Sequence, residues 1–175
     1  SKKIHRIVGG TPVLDDDLYP FIASIGFGRD GSYWHYCGAS LVAPSWVATA
    51  AHCVEDRESQ FLSDGVVIIG LRTQSSLTRL DLEFFDVIEV ISHPDYNTNT
   101  MDSDYALLRL SNVSTYAPIP FISDDAYDNE PMAVVTMGWG TLSSGGASPD
   151  NLMEVALTID DSCGQYPSNE ITSTM

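Results

Sequence analysis

Lysine is nearly absent from this 175-residue chain, occurring only as Lys2 and Lys3. The remaining cations are six arginines, at positions 6, 29, 57, 72, 79 and 109. Eight basic residues face 24 acidic ones, for a net charge of −16. Such an imbalance argues against nucleic acid and anionic membrane surfaces as partners, because both repel an acidic protein. It describes a well-solvated acidic surface. No apolar run approaches the length of a membrane-spanning helix. No initiator Met and no leading apolar region precede Ser1, so no signal peptide is visible. Fixed-period repeats, low-complexity tracts and long amphipathic helices are also missing. Gly-x-Ser-x-Gly does not occur, which argues against a hydrolase with a strained nucleophile turn after a parallel strand.

Cysteine is scarce and odd in number: Cys37, Cys53 and Cys163. The first two are close enough for a hairpin to bring them together, and Cys163 is then left without a partner. A bridge of that loop length would stabilise the fold by roughly 3 kcal/mol, and it implies an oxidising compartment.

What is present is a series of short apolar runs. Strands are expected at 21–25, 33–42, 66–69, 87–91, 106–110, 132–137 and 153–159, with Gly, Pro, Asn and Asp between them. This pattern predicts an antiparallel all-β sandwich or barrel. Residues 1–6 read as a basic tail and 111–131 as a Ser-, Pro- and Asp-rich surface linker. Asn112-Val113-Ser114 within it is a candidate N-glycosylation triplet.

Two stretches carry chemistry. In Ala39-Ser-Leu-Val-Ala-Pro-Ser-Trp-Val-Ala-Thr-Ala-Ala-His52-Cys53, two apolar runs flank a Pro44-Ser45 turn and end on small residues that deliver an imidazole. Ala50 and Ala51 leave open space beside His52, and a link from Cys53 to Cys37 would hold the histidine rigidly, as a general base requires. A lone histidine in a tight turn would be structural. In Asp102-Ser-Asp104-Tyr-Ala-Leu-Leu-Arg-Leu110, Asp104 opens an apolar run that carries its carboxylate inward. A buried carboxylate needs a partner, and an imidazole N–H can serve. An isolated aspartate there would be a turn cap. His93, in Ser92-His-Pro-Asp-Tyr-Asn97, sits on a turn and is a poor candidate for chemistry.

Taken together, Ile7-Val-Gly-Gly10, Thr49-Ala-Ala-His-Cys53, Asp104-Tyr-Ala-Leu-Leu-Arg-Leu110 and Gly138-Trp-Gly140 resemble, in order, the motifs of trypsin-like serine proteases. The resemblance implies two antiparallel Greek-key β-barrels, with the second incomplete in these residues. It divides the chain into an activation-peptide remnant (1–6), a first barrel (7–110), a linker (111–131) and the start of a second barrel (132–175). It implies a serine endopeptidase in which His52 is base then acid and Asp104 orients it. An activating protease would cut Arg6–Ile7, protein or peptide would be the substrate, and Cys37 would bridge Cys53. Cys163 would lack its downstream partner, and the chain would be a trimmed, inactive piece of a secreted zymogen.

The family's Gly-Asp-Ser-Gly-Gly-Pro does not occur. Ser144, in Ser143-Ser-Gly-Gly146, is rejected as the nucleophile because Ser143 stands where the aspartate should be. The stretch Gly70–Leu82 lacks the paired glutamates of the calcium-binding members, so neither metal nor cofactor is expected. The alternative is a non-catalytic homologue that serves as a binding or regulatory module. A Cys53–His52 thiol protease is set aside, because neighbours in a strand point to opposite faces.

Overall fold

A computed structural model of the chain describes residues 7–15, 17–28, 32–122, 132–143 and 145–158. Arg6, Ser144 and Cys163 lie outside the described residues, as does the second half of the expected linker. Among the described residues, nine strands and two short helices follow in order: β1 (Thr11–Pro12), β2 (Ile22–Phe27), β3 (Trp34–Ala43), β4 (Trp46–Thr49), α1 (Ala51–Val54), α2 (Glu58–Asp64), β5 (Gly65–Ile69), β6 (Glu83–Ser92), β7 (Ala106–Leu110), β8 (Ala133–Gly138) and β9 (Met153–Thr158). The all-β expectation holds. Strands β2-β3-β4-β7-β6-β5 close into a barrel, and β1-β9-β8 form a separate three-stranded sheet. Every ladder is antiparallel.

Strand burial explains the two kinds of apolar run. In β7, Ala106, Leu108 and Leu110 point into the barrel while Leu107 and Arg109 face out, the period-two pattern of a one-sided strand. All six residues of β2 are buried. Ala23, Ile25 and Phe27 enter the barrel core, whereas Ile22 joins a second cluster with Ile68, Leu71, Trp139 and Leu152. β5 behaves alike, with Val67 and Ile69 inside and Ile68 in the second cluster. Both faces of β2 and β5 are covered, so these strands read as continuous apolar runs and not as alternation.

The second cluster joins the two sheets. Trp139, just past β8, packs back onto the barrel and its indole N–H donates to the Arg72 carbonyl at 3.3 Å. β1 also crosses over, pairing Thr11 with Glu154 and Pro12 with Met153 of β9. Tyr19 adds a side-chain tie, its hydroxyl donating to the Glu154 carboxylate. At one end of the barrel α2 supplies Phe61, fully buried against Phe27 with ring centroids 4.7 Å apart.

Candidate catalytic site

Strand register brings the two candidate residues together. β4 pairs with β7 so that Thr49 lies opposite Ala106. Continued two residues past the end of the ladder, that register sets Asp104 opposite Ala51, the neighbour of His52. The chain turns there into α1, one turn that buries Ala51, Cys53 and Val54 and leaves His52 partly exposed. Ala51 is therefore core packing, while Ala50 borders open space beside the histidine. The expected strand geometry at positions 52 and 53 is corrected: both belong to α1. Cys53 is excluded as a nucleophile because its sulfur is bonded to Cys37, with Cα atoms 6.3 Å apart.

Asp104 grips His52 with both oxygens. Oδ2 lies 2.7 Å from His52 Nδ1, and Oδ1 accepts the His52 backbone N–H at 2.8 Å. A carboxylate only accepts, so the ring proton of neutral His52 sits on Nδ1 and the Nε2 lone pair is the basic site. The side chains are 18% and 21% exposed, enough to strengthen the pair relative to water yet leave it within reach of a substrate. The approach of Asp104 is set by a tight loop. Asn97 Oδ1 accepts the Asn99 and Thr100 N–H groups, and Met101 N–H returns to the Asn97 carbonyl at 2.7 Å. Met101 and Ser103 take the left-handed conformation, at φ 68° and 55°. Side chains rarely hold that conformation without surrounding constraint.

His52 Nε2 lies 3.6 Å from Cys53 Sγ. Cys37, His52 and Cys53 place three potential metal-ligand atoms within 4.8 Å of one another, but both sulfurs are spent in the disulfide and offer no thiolate. His93 stands apart, its ring 4.4 Å from that of Tyr105 and its Nδ1 accepting the Asp95 N–H at 3.2 Å. Ile7 is buried and its N–H donates to the Thr141 carbonyl at 2.9 Å. This residue is thus packed against the second sheet with Arg6 still in the chain. Gly9, at φ 78°, makes the turn that carries Ile7 inward.

A cleft of about 890 Å³ runs between β3 and the end of β8, flanking the histidine turn through Ala50 and Cys53. His35 and Trp139 line it, and with them goes a polar group that sequence reasoning passed over. Ser24 Oγ, fully buried, lies 2.6 Å from Tyr33 Oη and 2.7 Å from His35 Nδ1, and the His35 ring packs on Trp139 at 5.1 Å. The available signal was a serine inside an otherwise apolar strand, since a buried hydroxyl demands partners.

Two phenols, those of Tyr33 and Tyr19, carry a pH consequence for stability. Burial raises the Tyr33 phenol well above its ordinary 10.0, and the Ser24 hydrogen bond offsets this only in part. The Glu154 hydrogen bond, aided by burial, pushes Tyr19 up to about 12. In both cases the folded state retains a proton that the unfolded state gives up. The stabilisation is complete below the unfolded value near 10 and is lost as pH rises through the folded values. Urea midpoints should therefore fall steadily above about pH 10, and Tyr33→Phe should make that decline shallower. An unchanged slope in the variant would remove Tyr33 from the explanation.

Similarity to known proteins agrees with this geometry. The trypsin family model matches residues 7–175. A trypsin from Xenopus laevis is 31% identical over 97% of this chain and 66% of its own length. Cationic trypsin-3 from Rattus norvegicus is 30% identical over 97% of this chain and 65% of its own. A solved structure described as "Structure of GrC" superposes with a TM-score of 0.78 at 26% identity, over 93% of this chain and 71% of that one. The chain spans about two thirds of the length of these trypsins. It belongs to the trypsin family of serine proteases.

Proposed function

We propose that the complete protein is an exported serine endopeptidase, that His52 and Asp104 are two members of its catalytic triad, and that the nucleophilic serine lies in sequence beyond these 175 residues. The observation that carries this reading is the two-point hold of Asp104 on His52, at 2.7 and 2.8 Å. Held this way, Nε2 takes the proton of the attacking serine hydroxyl and later returns it to the leaving amine. Asp104 stabilises the imidazolium formed in between. The Cys37–Cys53 disulfide supports an oxidising, extracellular destination. Among the described residues no helix is long and apolar enough to cross a membrane. Residues 7–110 are read as the first barrel unit, with β1 at its start reaching across to pair with β9, 111–131 as the linker and 132–175 as the opening of the second unit. Cleavage of Arg6–Ile7 by an activating protease is read as the switch, after which the substrate is a protein or peptide.

The test is a serine-directed fluorophosphonate probe, applied with a peptide-amide substrate to the complete protein cut after Arg6. Stoichiometric labelling and turnover are expected, whereas residues 1–175 alone should show neither, having a base with no nucleophile to activate. A complete, cleanly cut protein that takes no label would replace this reading with that of a binding or regulatory homologue.

A further inference from the structure

The triplet Asn112-Val113-Ser114 has no part in the chemistry above, and it is the only Asn-x-Ser/Thr in the 175 residues. It lies in the bend after β7. Asn112 is exposed, and its Oδ1 accepts the Val113 N–H at 2.8 Å. Its Nδ2 has no hydrogen-bond partner among the described residues.

Asn112 also lies near apolar side chains that are exposed among the described residues. Ser111 exchanges two hydrogen bonds with Asp86, its N–H donating at 3.0 Å and its Oγ accepting at 3.2 Å. This fixes Asn112 beside the outer face of β6, where Phe84 and Ile88 flank Asp86. Phe84, Ile88 and Val113 are 51%, 52% and 62% exposed. A bulky hydrophilic group attached at Asn112 would shield such side chains from association with other molecules.

We propose that Asn112 carries an N-linked oligosaccharide that covers this patch; the proposal rests on the export argued above. In the transfer, Asn112 Nδ2 bonds to the anomeric carbon of a sugar chain carried on a lipid diphosphate. The bond from that carbon to the diphosphate oxygen breaks, the diphosphate leaves with the electron pair, and the amide loses one proton. The glycan does not obstruct the candidate catalytic pair. β7 has Asp104 before its first residue and Asn112 after its last, so about 17 Å of strand separates the two ends.

The structure also assigns an order of events. The Ser114 hydroxyl, which defines the acceptor triplet, donates to Glu83 and accepts the Tyr116 N–H at 3.1 Å. Ser114 N–H is bound to the Pro44 carbonyl at 2.7 Å. Once the segment has docked, that hydroxyl is committed. Modification therefore precedes folding of the linker.

The experiment is synthesis of the chain behind a cleavable signal sequence in the presence of microsomes. The Cys37–Cys53 bridge is read on non-reducing gels as the marker of lumenal entry. Because the signal sequence takes export as given, failure here counts against the glycan and not against export. We expect the bridged chain to shift to lower mobility and to revert on treatment with an N-glycan amidase. The shift should vanish in Asn112→Gln and Ser114→Ala and persist in Ser114→Thr. Chain that was folded and oxidised before addition of detergent-solubilised microsomes, where no import is needed, should remain unshifted while the same chain reduced and unfolded is modified. Glu83→Gln should raise the modified fraction during synthesis. A bridged wild-type chain with no shift, or a shift that survives Asn112→Gln, overturns the proposal. Equal modification of the prefolded chain overturns the order of events.

Discussion

Replacing Asp104 with asparagine in the complete, activated protease should lower kcat by about 10⁴-fold and leave the barrel folded; the magnitude is that of the equivalent change in this family's Ser-His-Asp template, not one derived from these distances. The direction does follow from the geometry. Asp104 faces two donors, the His52 backbone N–H at 2.8 Å and the ring Nδ1 at 2.7 Å. An asparagine has one acceptor oxygen and one donor NH₂ for these two places. The backbone N–H cannot change its character, so the amide oxygen turns toward it and the NH₂ faces Nδ1. Nδ1 must then accept, the ring proton moves to Nε2, and the base that should take the serine proton is already occupied. His52→Ala removes the base altogether and should cost at least as much. Peptide-amide hydrolysis, with circular dichroism to establish folding, measures both. Full activity in Asp104→Asn would dismiss the triad assignment.

The same pair shows what was legible in the sequence. His52 and Asp104 could be picked out because short, specific motifs surround them and β7 displays clean alternation from Ala106 to Leu110. The structure adds the β4–β7 register that makes them neighbours. Other elements leave weak local traces. The strand expected at 87–91 runs from Glu83 to Ser92, because a bulge between Val87 and Glu89 breaks the period-two pattern. Helix α2 contains one buried residue, Phe61, and is held by contacts with Phe27 and Tyr36, which lie far from it in sequence. A seven-residue helix with one anchor has no periodicity to read. β1 is two residues long and exists only because β9 pairs with it. Ser24, Tyr33 and His35 are likewise gathered by the β2–β3 ladder, and none of them signals its partners locally.

Removing the Cys37–Cys53 bridge should have the largest effect on stability. Its ends are 16 positions apart in sequence, a loop for which cross-linking is worth roughly 3 kcal/mol through the unfolded chain. The double variant Cys37→Ala/Cys53→Ala is the appropriate test, since a single substitution would leave a buried thiol free to react. Both sulfurs are buried in the barrel core, so truncation to alanine also creates space that neighbours fill only in part. The consequence reaches the site. Helix α1 is four residues long with no side-chain cap, too short to hold itself, and the disulfide is its covalent tether to β3. Without the tether, α1 should open before the barrel does. Urea unfolding of the oxidised chain and the double variant measures the global loss. Hydrogen exchange at the His52 N–H, which Asp104 Oδ1 accepts at 2.8 Å, measures the local one. Protection there should fall further than at Leu108, in the barrel core. A loss below about 1 kcal/mol, under the roughly 2–5 kcal/mol typical for removal of a native bridge, would mean that core packing alone holds this turn. Equal loss of protection at both amides would mean that the bridge stabilises the barrel as a whole and has no particular hold on the histidine.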